Sequence, residues 1–281
     1  MAISTVGKSV TDLSTVTVSN ATGDTVKFTE GGQTITALVF GGAPTSLATV
    51  QVNSACSITV GGVSGAFAYA ITTEFIYSAM GGAWYQTGTT AKIRHTGYGA
   101  LRLNGGTHTA VHLVRGGSIY VNASAVVEQL YMSAGSVEAL YIAGATGFQK
   151  VVVGGGSLTT GRGLDSNTAG SRMVICNGGV VNMRKEDTTG TLPTMADGSG
   201  TAVCTVCGGG RLNYNGGNID TLEVFDGGSV DMSSITQDLT ITNLYITEEA
   251  MSRSNITGSD SNTVTVTNKY ILANAKQTLL A

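Results

Sequence analysis

Short alternations of apolar and polar residues recur along the chain, and many of them stop at a pair of glycines. In the second half, typical stretches are Leu101-Arg-Leu103-Asn-Gly-Gly and Leu222-Glu-Val-Phe225-Asp-Gly-Gly. A period of two is typical of half-buried strands rather than helices. Glycine at a corner permits a positive φ and a close backbone approach. Each unit is therefore predicted to be a strand, a glycine corner and a second strand.

Two columns of residues flank these corners and are apolar almost throughout. The column two residues before the glycines comprises Leu103, Val114, Met132, Val153, Cys176, Cys207, Tyr214 and Phe225. The column at the second residue after them comprises His108, Ile119, Val137, Leu158, Val181, Leu212, Ile219 and Val230. Because only one of these sixteen residues, His108, is strongly polar, both columns are predicted to point into a core.

The spacing of the corners favours a coil of stacked rungs. From Gly117, the corners at 135, 155, 178, 209 and 227 follow at intervals of 18, 20, 23, 31 and 18 residues. Fixed corners with inserts of variable length are typical of solenoid repeats. An antiparallel meander is the alternative, because Gly-Gly between alternating residues is also a hairpin signal. We predict an all-β, right-handed β-solenoid, or β-helix, with glycine-pair corners.

The same pattern divides the chain into four regions. Residues 1–75 are predicted to form an N-terminal β region that attaches or caps, and residues 76–100 a junction. Residues 101–246 hold the solenoid repeats, and residues 247–281 are the candidate C-terminal cap, since a solenoid must cover its open end. A triple-stranded β-helix interwound from three chains is a variant of this prediction.

Composition and charge exclude several classes of protein. Glycine makes up 40 of the 281 residues, far below the third that collagen needs, and 42% of the residues are hydrophobic, which argues against disorder. The net charge is −3 and no basic run occurs, so nucleic acid is not an expected partner. The start, residues 1–8, lacks the features of a signal peptide, and no stretch has the length of a membrane span. Neither export nor membrane insertion is expected.

Candidate chemistry is sparse, and no catalytic residue, cofactor or metal is predicted. Cys204 and Cys207 form a single C-x-x-C but should face opposite sides of a strand, whereas Cys176 and Cys207 share the first column. A structural core role is favoured over a disulfide or a metal site. His108 and His112 should share one strand face, and only His95 or Glu128 is near enough in sequence to supply the third ligand that a metal site needs, so ordinary packing or surface histidines are favoured.

Carboxylates are the groups that a solenoid glycosidase would need as a pair on one face. The candidates are Asp220, Glu223, Asp226 and Asp231 on adjacent repeats, with Glu186, Asp187 and Asp197 on an insert. Asp220 and Asp231 alternate with residues of the second column, so they are expected to face solvent.

The longest insert, residues 184–200, carries the densest charge in the chain and apolar residues that are expected to be exposed. Inserts of this kind map to one face of a solenoid, often the binding face. The candidate partner-binding residues are Arg184, Lys185, Glu186, Asp187, Pro193 and Met195. A passive surface loop is the alternative. Trp84, Tyr85 and Tyr98 could stack on a sugar, but packing of the junction is favoured.

The glycine-pair columns, the Asn-Gly-Gly triplets at 104, 177 and 215 and the Ser/Thr-rich surface resemble the β-solenoid virion proteins of tailed bacteriophages. The resemblance covers residues 101–246. Such proteins are head decorations, head fibres or tail fibres, so it implies a non-enzymatic virion component, assembled in the host cytoplasm, that stabilises the particle or contacts the host surface. It also implies self-association as a homotrimer and capsid or tail proteins as partners, with a host-surface glycan as a further partner.

The pattern is also similar to the passenger repeats of bacterial autotransporter adhesins, although that family is exported. Two alternatives therefore stay open. One is a tailspike-like β-helix that binds or cleaves glycans, and the other is a bacterial surface adhesin.

Overall fold

The computed structural model describes residues 3–6, 13–18, 22–29, 31–40, 45–53, 56–60, 67–122, 124–139, 147–184, 192–197 and 199–273. This part of the chain is nearly all β. Up to residue 139 the strands are β1 (Ile3–Val6), β2 (Leu13–Val18), β3 (Thr25–Phe28), β4 (Gly31–Phe40), β5 (Ser46–Val52), β6 (Cys56–Val60), β7 (Ala70–Tyr77), β8 (Ala83–Gln86), β9 (Thr90–His95), β10 (Ala100–Leu103), β11 (Thr107–Leu113), β12 (Ser118–Val121), β13 (Val126–Met132) and β14 (Ser136–Ala139). They are followed by β15 (Lys150–Val153), β16 (Ser157–Thr160), β17 (Arg172–Ile175), β18 (Val180–Met183), β19 (Val203–Val206), β20 (Arg211–Tyr214), β21 (Ile219–Val224), β22 (Ser229–Asp231), β23 (Leu239–Thr247), helix α1 (Glu248–Ser252) and β24 (Val264–Leu272).

The chain forms two compact units, residues 1–129 with 135–138 and residues 130–134 with 139–281. In the first unit the odd-numbered strands pair in the order β1-β3-β5-β7-β9-β11 and the even-numbered strands in the order β2-β4-β6-β8-β10-β12. In the second unit the orders are β15-β17-β19-β21-β23-β24 and β16-β18-β20-β22. Each turn of the chain thus adds one strand to each of two sheets.

Every pairing between these named strands within either unit is parallel, which confirms the predicted β-solenoid and rules out the antiparallel meander. About ten turns are formed in all. The right-handed sense of the coil stays a prediction. Among the described residues, no helix has the length and apolar character needed to cross a bilayer.

Regular pairing also covers the regions predicted to be an N-terminal attachment and a junction. Strand β5 pairs with β7, and β7 pairs with β9, each in parallel. The rungs therefore begin before Leu101. Attachment by residues 1–75 and capping by residues 247–281 stay predictions.

The two predicted inward columns have different outcomes. All eight residues of the second column are buried, as predicted. The first column is only partly inward, because Val114 is exposed and Cys176, Cys207 and Phe225 are half-buried. The length of the corner is the physical reason. Three residues link β13 to β14 and β15 to β16, whereas four link β11 to β12, β17 to β18, β19 to β20 and β21 to β22. At the corners that lead from an odd-numbered to an even-numbered strand, counting back two residues from the glycines reaches the inward end of the strand only when the corner has three residues.

The longer odd-numbered strands bend midway, which changes the face that their side chains occupy. In β23, Leu239 and Ile241 are buried, and the next buried side chain of the interior is Leu244, three residues on. In β11 the same step separates the buried His108 from the buried Val111. His112 is consequently half-buried on the other face, so the prediction that His108 and His112 share a face is wrong.

The interior of the first unit is built around Trp84, which is fully buried. Its ring contacts Phe28, Phe67 and Phe75, with ring centroids 5.5, 5.1 and 4.9 Å from its own. Its Nε1 donates a hydrogen bond of 3.0 Å to Oε1 of Gln86, so the indole has no unpaired polar group. Aromatic contacts of this kind stabilise a core by about 1 kcal/mol each beyond burial.

The interior of the second unit consists of ladders in which equivalent residues of successive rungs lie in register. One ladder along the odd-numbered strands comprises Val151, Met173, Cys204, Leu222 and Leu244. All five side chains are buried. Burial of such stacked apolar side chains is the main favourable contribution to the free energy of folding.

Candidate functional site

The structure places the candidate residues of the longest insert in different environments. Arg184 is exposed at the end of β18, while Lys185, Glu186 and Asp187 lie outside the described residues. Pro193 is buried, and Met195 is fully buried. The expectation that the apolar residues of the insert are exposed is therefore wrong. Met195 rejoins the wall of the solenoid, where its amide donates to Asn218 O at 3.1 Å and its carbonyl accepts from the Asp220 amide at 3.1 Å.

A single carboxylate, that of Asp197, fixes the end of this insert. It accepts hydrogen bonds from the amides of Gly170, Ser199 and Thr201 at 2.9, 3.0 and 3.0 Å, and from the hydroxyls of Ser199 and Thr201 at 2.7 and 2.6 Å. These donors hold the pKa of Asp197 far below its usual range, although burial opposes the shift. The carboxylate has no free lone pair for a ligand to use, so its role is structural.

Three of the other candidate carboxylates are also engaged by neighbouring groups, Asp226 is half-buried at its corner, and Glu186 and Asp187 lie outside the described residues. Asp220, expected to face solvent, is buried and accepts a hydrogen bond of 2.9 Å from the Asp197 amide. Glu223 accepts one of 2.7 Å from the Thr205 hydroxyl. Asp231 lies 3.7 Å from Arg211 and accepts one of 3.0 Å from the Ser233 amide. The end of the insert covers Asp220, since Met195 O accepts from its amide and the Asp197 amide donates to its carboxylate.

The outer face of the even-numbered strands carries a ladder of Tyr85, Arg102 and Tyr120. These residues occupy the same register position on β8, β10 and β12. The Arg102 guanidinium carbon lies 5.6 Å from the centroid of the Tyr85 ring and 4.4 Å from that of Tyr120. All three side chains are half-buried, and Arg102 Nε makes no hydrogen bond within the described residues. We call this set the Tyr-Arg-Tyr ladder.

Small side chains lie on one side of the Tyr-Arg-Tyr ladder. The residues two positions earlier on the same strands are Ala83, Ala100 and Ser118, which are also in register. Aromatic faces next to a preordered guanidinium suit a flat ligand that bears hydroxyl or carboxylate groups.

Sequence reasoning missed the Tyr-Arg-Tyr ladder. It aligned Leu103 with residues that precede a corner and Ile119 with residues that follow one, so Arg102 and Tyr120 were never compared. The signal that finds them is the alignment of Ala-Leu-Arg-Leu with Ser-Ile-Tyr-Val as successive strands of one sheet. Of the proposed sugar platform, only Tyr85 belongs to the ladder, since Trp84 is core and Tyr98 is exposed at a corner.

The last rung of the second unit presents an apolar surface. Strand β24 pairs with β23, and three consecutive side chains at its end, Tyr270, Ile271 and Leu272, are 44%, 53% and 38% exposed. The order of even-numbered strands ends at β22 within the described residues, so no strand of that sheet faces β24. A groove of about 600 Å³ lies there, lined by Leu244, Ile246, Met251, Ile256, Val264 and Val266, among others.

The histidines and cysteines considered as metal ligands occupy separate structural positions. His95 and His108 are buried, and their Nε2 atoms lie 2.8 Å from Gly99 O and 3.0 Å from Gly105 O. Cys204 is buried in the second unit, where desolvation raises the pKa of its thiol to about 12. Among the residues that the structure describes, no three His, Cys, Asp or Glu side chains are grouped to hold a metal ion.

Comparison of the chain with protein-family models, with curated proteins and with solved structures gave no match.

Proposed function

We propose that the chain is a non-enzymatic structural component of a tailed-bacteriophage virion, a capsid decoration, head-fibre or tail-fibre protein that self-associates. The stacked rungs support this proposal, because in-register ladders make a solenoid stiff along its axis without any chemistry at its surface. The engaged carboxylates of Asp197, Asp220 and Glu223 support a structural role over glycan cleavage.

The observation that carries the proposal is the last rung, β24, which no other described strand covers. A parallel sheet that ends in an exposed apolar strand is prone to pairing with another chain unless it is covered. Tyr270, Ile271 and Leu272 are exposed apolar side chains on that strand, and Val264 and Val266 of the same strand line the groove. A homotrimer that buries these side chains is the assembly we propose, with capsid or tail proteins as further partners.

Light scattering of the purified chain tests self-association. We expect the mass of a trimer for the wild type and the mass of a monomer for the double variant Ile271→Ser, Leu272→Ser. Val114→Ser is the matched control, since Val114 is also an exposed apolar residue but lies in the first unit, and it should leave the trimer intact. A monomeric wild type would overturn the assembly.

Labelling of particles tests the location. An antibody to the chain, applied to phage particles purified from cultures that produce it, should decorate heads or tails in electron micrographs. Unlabelled particles, with the chain found only in the particle-free fraction, would overturn the virion assignment.

The Tyr-Arg-Tyr ladder favours a second candidate function, glycan binding by a tailspike-like solenoid. Stacking of a sugar ring on Tyr120 beside the Arg102 guanidinium would bind an acidic glycan, with an aromatic contribution of about 1 kcal/mol. Calorimetric titration with uronic-acid and neutral oligosaccharides tests this. Tyr120→Ala should weaken binding of the acidic sugars up to about tenfold, whereas Tyr98→Ala, an exposed tyrosine outside the ladder, should not. Equal binding by all three proteins would exclude the ladder as the site.

A further inference from the structure

Two free cysteines, Cys176 and Cys207, lie at equivalent corner positions of adjacent rungs in the second unit. The preceding residues, Ile175 and Val206, are register partners in the parallel pair β17 and β19. The pairing continues into the corner, because the Cys207 amide donates to Ile175 O at 2.9 Å, as the Cys176 amide donates to Val153 O one rung earlier. The two cysteines are therefore direct neighbours along the stack.

The corner residues that follow confirm this register. A methyl group on Gly208 would lie 3.8 Å from Asn177 N, and one on Gly209 would lie 3.5 Å from Gly178 N. Neighbouring strands of a sheet are about 4.8 Å apart. That spacing lies within the range of about 4.4–6.8 Å between Cα atoms over which a disulfide forms without backbone movement.

The surroundings leave these two thiols able to react with each other. Both side chains are half-buried, so a small reagent can reach them. On one side of the pair the equivalent residue is Gly154, where an added methyl would lie 4.0 Å from Cys176 Sγ. On the other side is Phe225, whose amide donates to Val206 O at 2.9 Å. Within this column no other thiol is adjacent.

Cys204 differs from this pair in burial and in position. It is fully buried, and its register partners are Met173 and Leu222. It lies three positions before Cys207, and it points to the interior while Cys207 lies at the corner. Cys204 is therefore an internal control for reactivity.

We propose that Cys176 and Cys207 form a dithiol that small-molecule disulfides oxidise to a disulfide between adjacent rungs. In the first step a thiolate of one cysteine attacks a sulfur of the reagent R–S–S–R, which gives a protein mixed disulfide and releases RS⁻. In the second step the other thiolate attacks the protein sulfur of the mixed disulfide and releases a second RS⁻. The two protons lost by the cysteines end on the released thiols, so one reagent disulfide is reduced as one protein disulfide forms.

The bond would join two corners on either side of the insert at residues 184–200. A cross-link that closes a loop restricts the unfolded chain and so stabilises the folded one. Burial and the nearby Cys176 raise the pKa of the Cys207 thiol, so exchange should be slow at neutral pH and faster as the pH rises. This inference does not depend on the proposed function, because it concerns only the two thiols.

The test is oxidation of the folded chain by glutathione disulfide at mildly alkaline pH, followed by alkylation and peptide mapping. Every protein carries Cys56→Ser, so that the cysteines left in the reference protein are Cys176, Cys204 and Cys207. We expect a linked peptide pair containing Cys176 and Cys207 and the loss of two hydrogen atoms from the intact mass. Cys176→Ser should give only a glutathione adduct at Cys207, and Cys204→Ala should still form the link.

A second readout is thermal unfolding with and without a reductant. The oxidised chain should unfold at a higher temperature than the reduced chain, dithiothreitol should reverse the difference, and the Cys207→Ser variant should show none. Glutathione adducts on separate cysteines without a link, a link that uses Cys204, or no reaction of the folded chain would each overturn the proposal.

Discussion

The rings of Tyr245 and Tyr270 are stacked, with centroids 4.6 Å apart and an angle of 10° between their planes. They are register partners on β23 and β24, so the stack links the exposed last strand to the rung beneath it. An Asn ladder lies beside it, in which Asn268 Nδ2 donates to Asn243 Oδ1 at 3.0 Å. Contacts on the outer face therefore help to hold a strand that no strand of the even-numbered sheet faces in the described part of the chain.

Tyr270→Ala should loosen β24 while leaving the rest of the second unit folded. Loss of the stack removes about 1 kcal/mol from the docking of this strand. Hydrogen exchange measured by mass spectrometry should show faster exchange of the β24 amides alone. Thr267→Ala, an exposed position on the same strand, should exchange like the wild type. Unchanged protection in Tyr270→Ala would show that the stack does not hold the strand.

Val181 and Asp231 give contrasting tests of the interior. Val181 is fully buried between its register partners Leu158 and Leu212, so Val181→Asp buries an unpaired charge and should cost at least about 3 kcal/mol. Asp231→Asn keeps an acceptor for the Ser233 amide and loses only a surface ion pair, which contributes about 0.5 kcal/mol. Urea unfolding should separate the two variants, and equal stabilities would contradict the inward assignment of Val181.

Two glycines of the stacked corners should respond differently to alanine. A methyl group on Gly210 would overlap the carbonyl of Ile175 in the preceding rung, so Gly210→Ala should cost about 3 kcal/mol through displaced backbone. Gly178 has a φ of +78° but nothing within 4 Å of an added methyl, so Gly178→Ala should cost only the strain of that conformation, about 1 kcal/mol. Thermal unfolding ranks the two, and the reverse order would contradict the close approach at Gly210.

These glycines also show how much of the fold could be predicted from the sequence. The corners, the strands and the second inward column follow from a period of two and from glycine pairs, which report local backbone geometry. Val114, Cys176, Cys207 and Phe225 were assigned wrongly because a corner of four residues displaces the glycines by one position. The length of a corner depends on how one rung packs on the next, and no local sequence pattern reports that packing.

The candidate sites were less predictable for the same reason. The Tyr-Arg-Tyr ladder combines residues 17 and 18 positions apart, and only the register of β8, β10 and β12 brings them together. Met195 and Pro193 looked exposed because an insert rich in charge is usually a surface loop. Burial of Met195 follows from its return to the wall beside Ile219, a long-range contact.

The buried His108 predicts a stability that falls in mild acid. Desolvation by burial lowers the pKa of its imidazole from 6.5 to about 4, although the hydrogen bond to Gly105 opposes the shift. The unfolded chain therefore binds a proton between pH 6.5 and 4 that the folded chain does not. The contribution is fully present above pH 6.5 and falls by up to roughly 3 kcal/mol as the pH drops to 4. The lowered pKa of the buried His95 acts in the same direction.

Urea unfolding between pH 7.5 and 4.5 measures this contribution. The glutamine of His108→Gln cannot titrate but keeps a donor for Gly105 O. This variant should therefore lose most of the decrease in unfolding free energy that His108 causes as the pH falls. His112→Gln, at a half-buried position, should change the pH dependence of the unfolding free energy much less. Asp197 does not contribute to the pH dependence in this range. Its carboxyl has a lowered pKa, so its contribution to the free energy of unfolding is lost only as the pH falls below the ordinary aspartate pKa of 3.8. A full acid slope in His108→Gln would show that other groups cause the acid sensitivity.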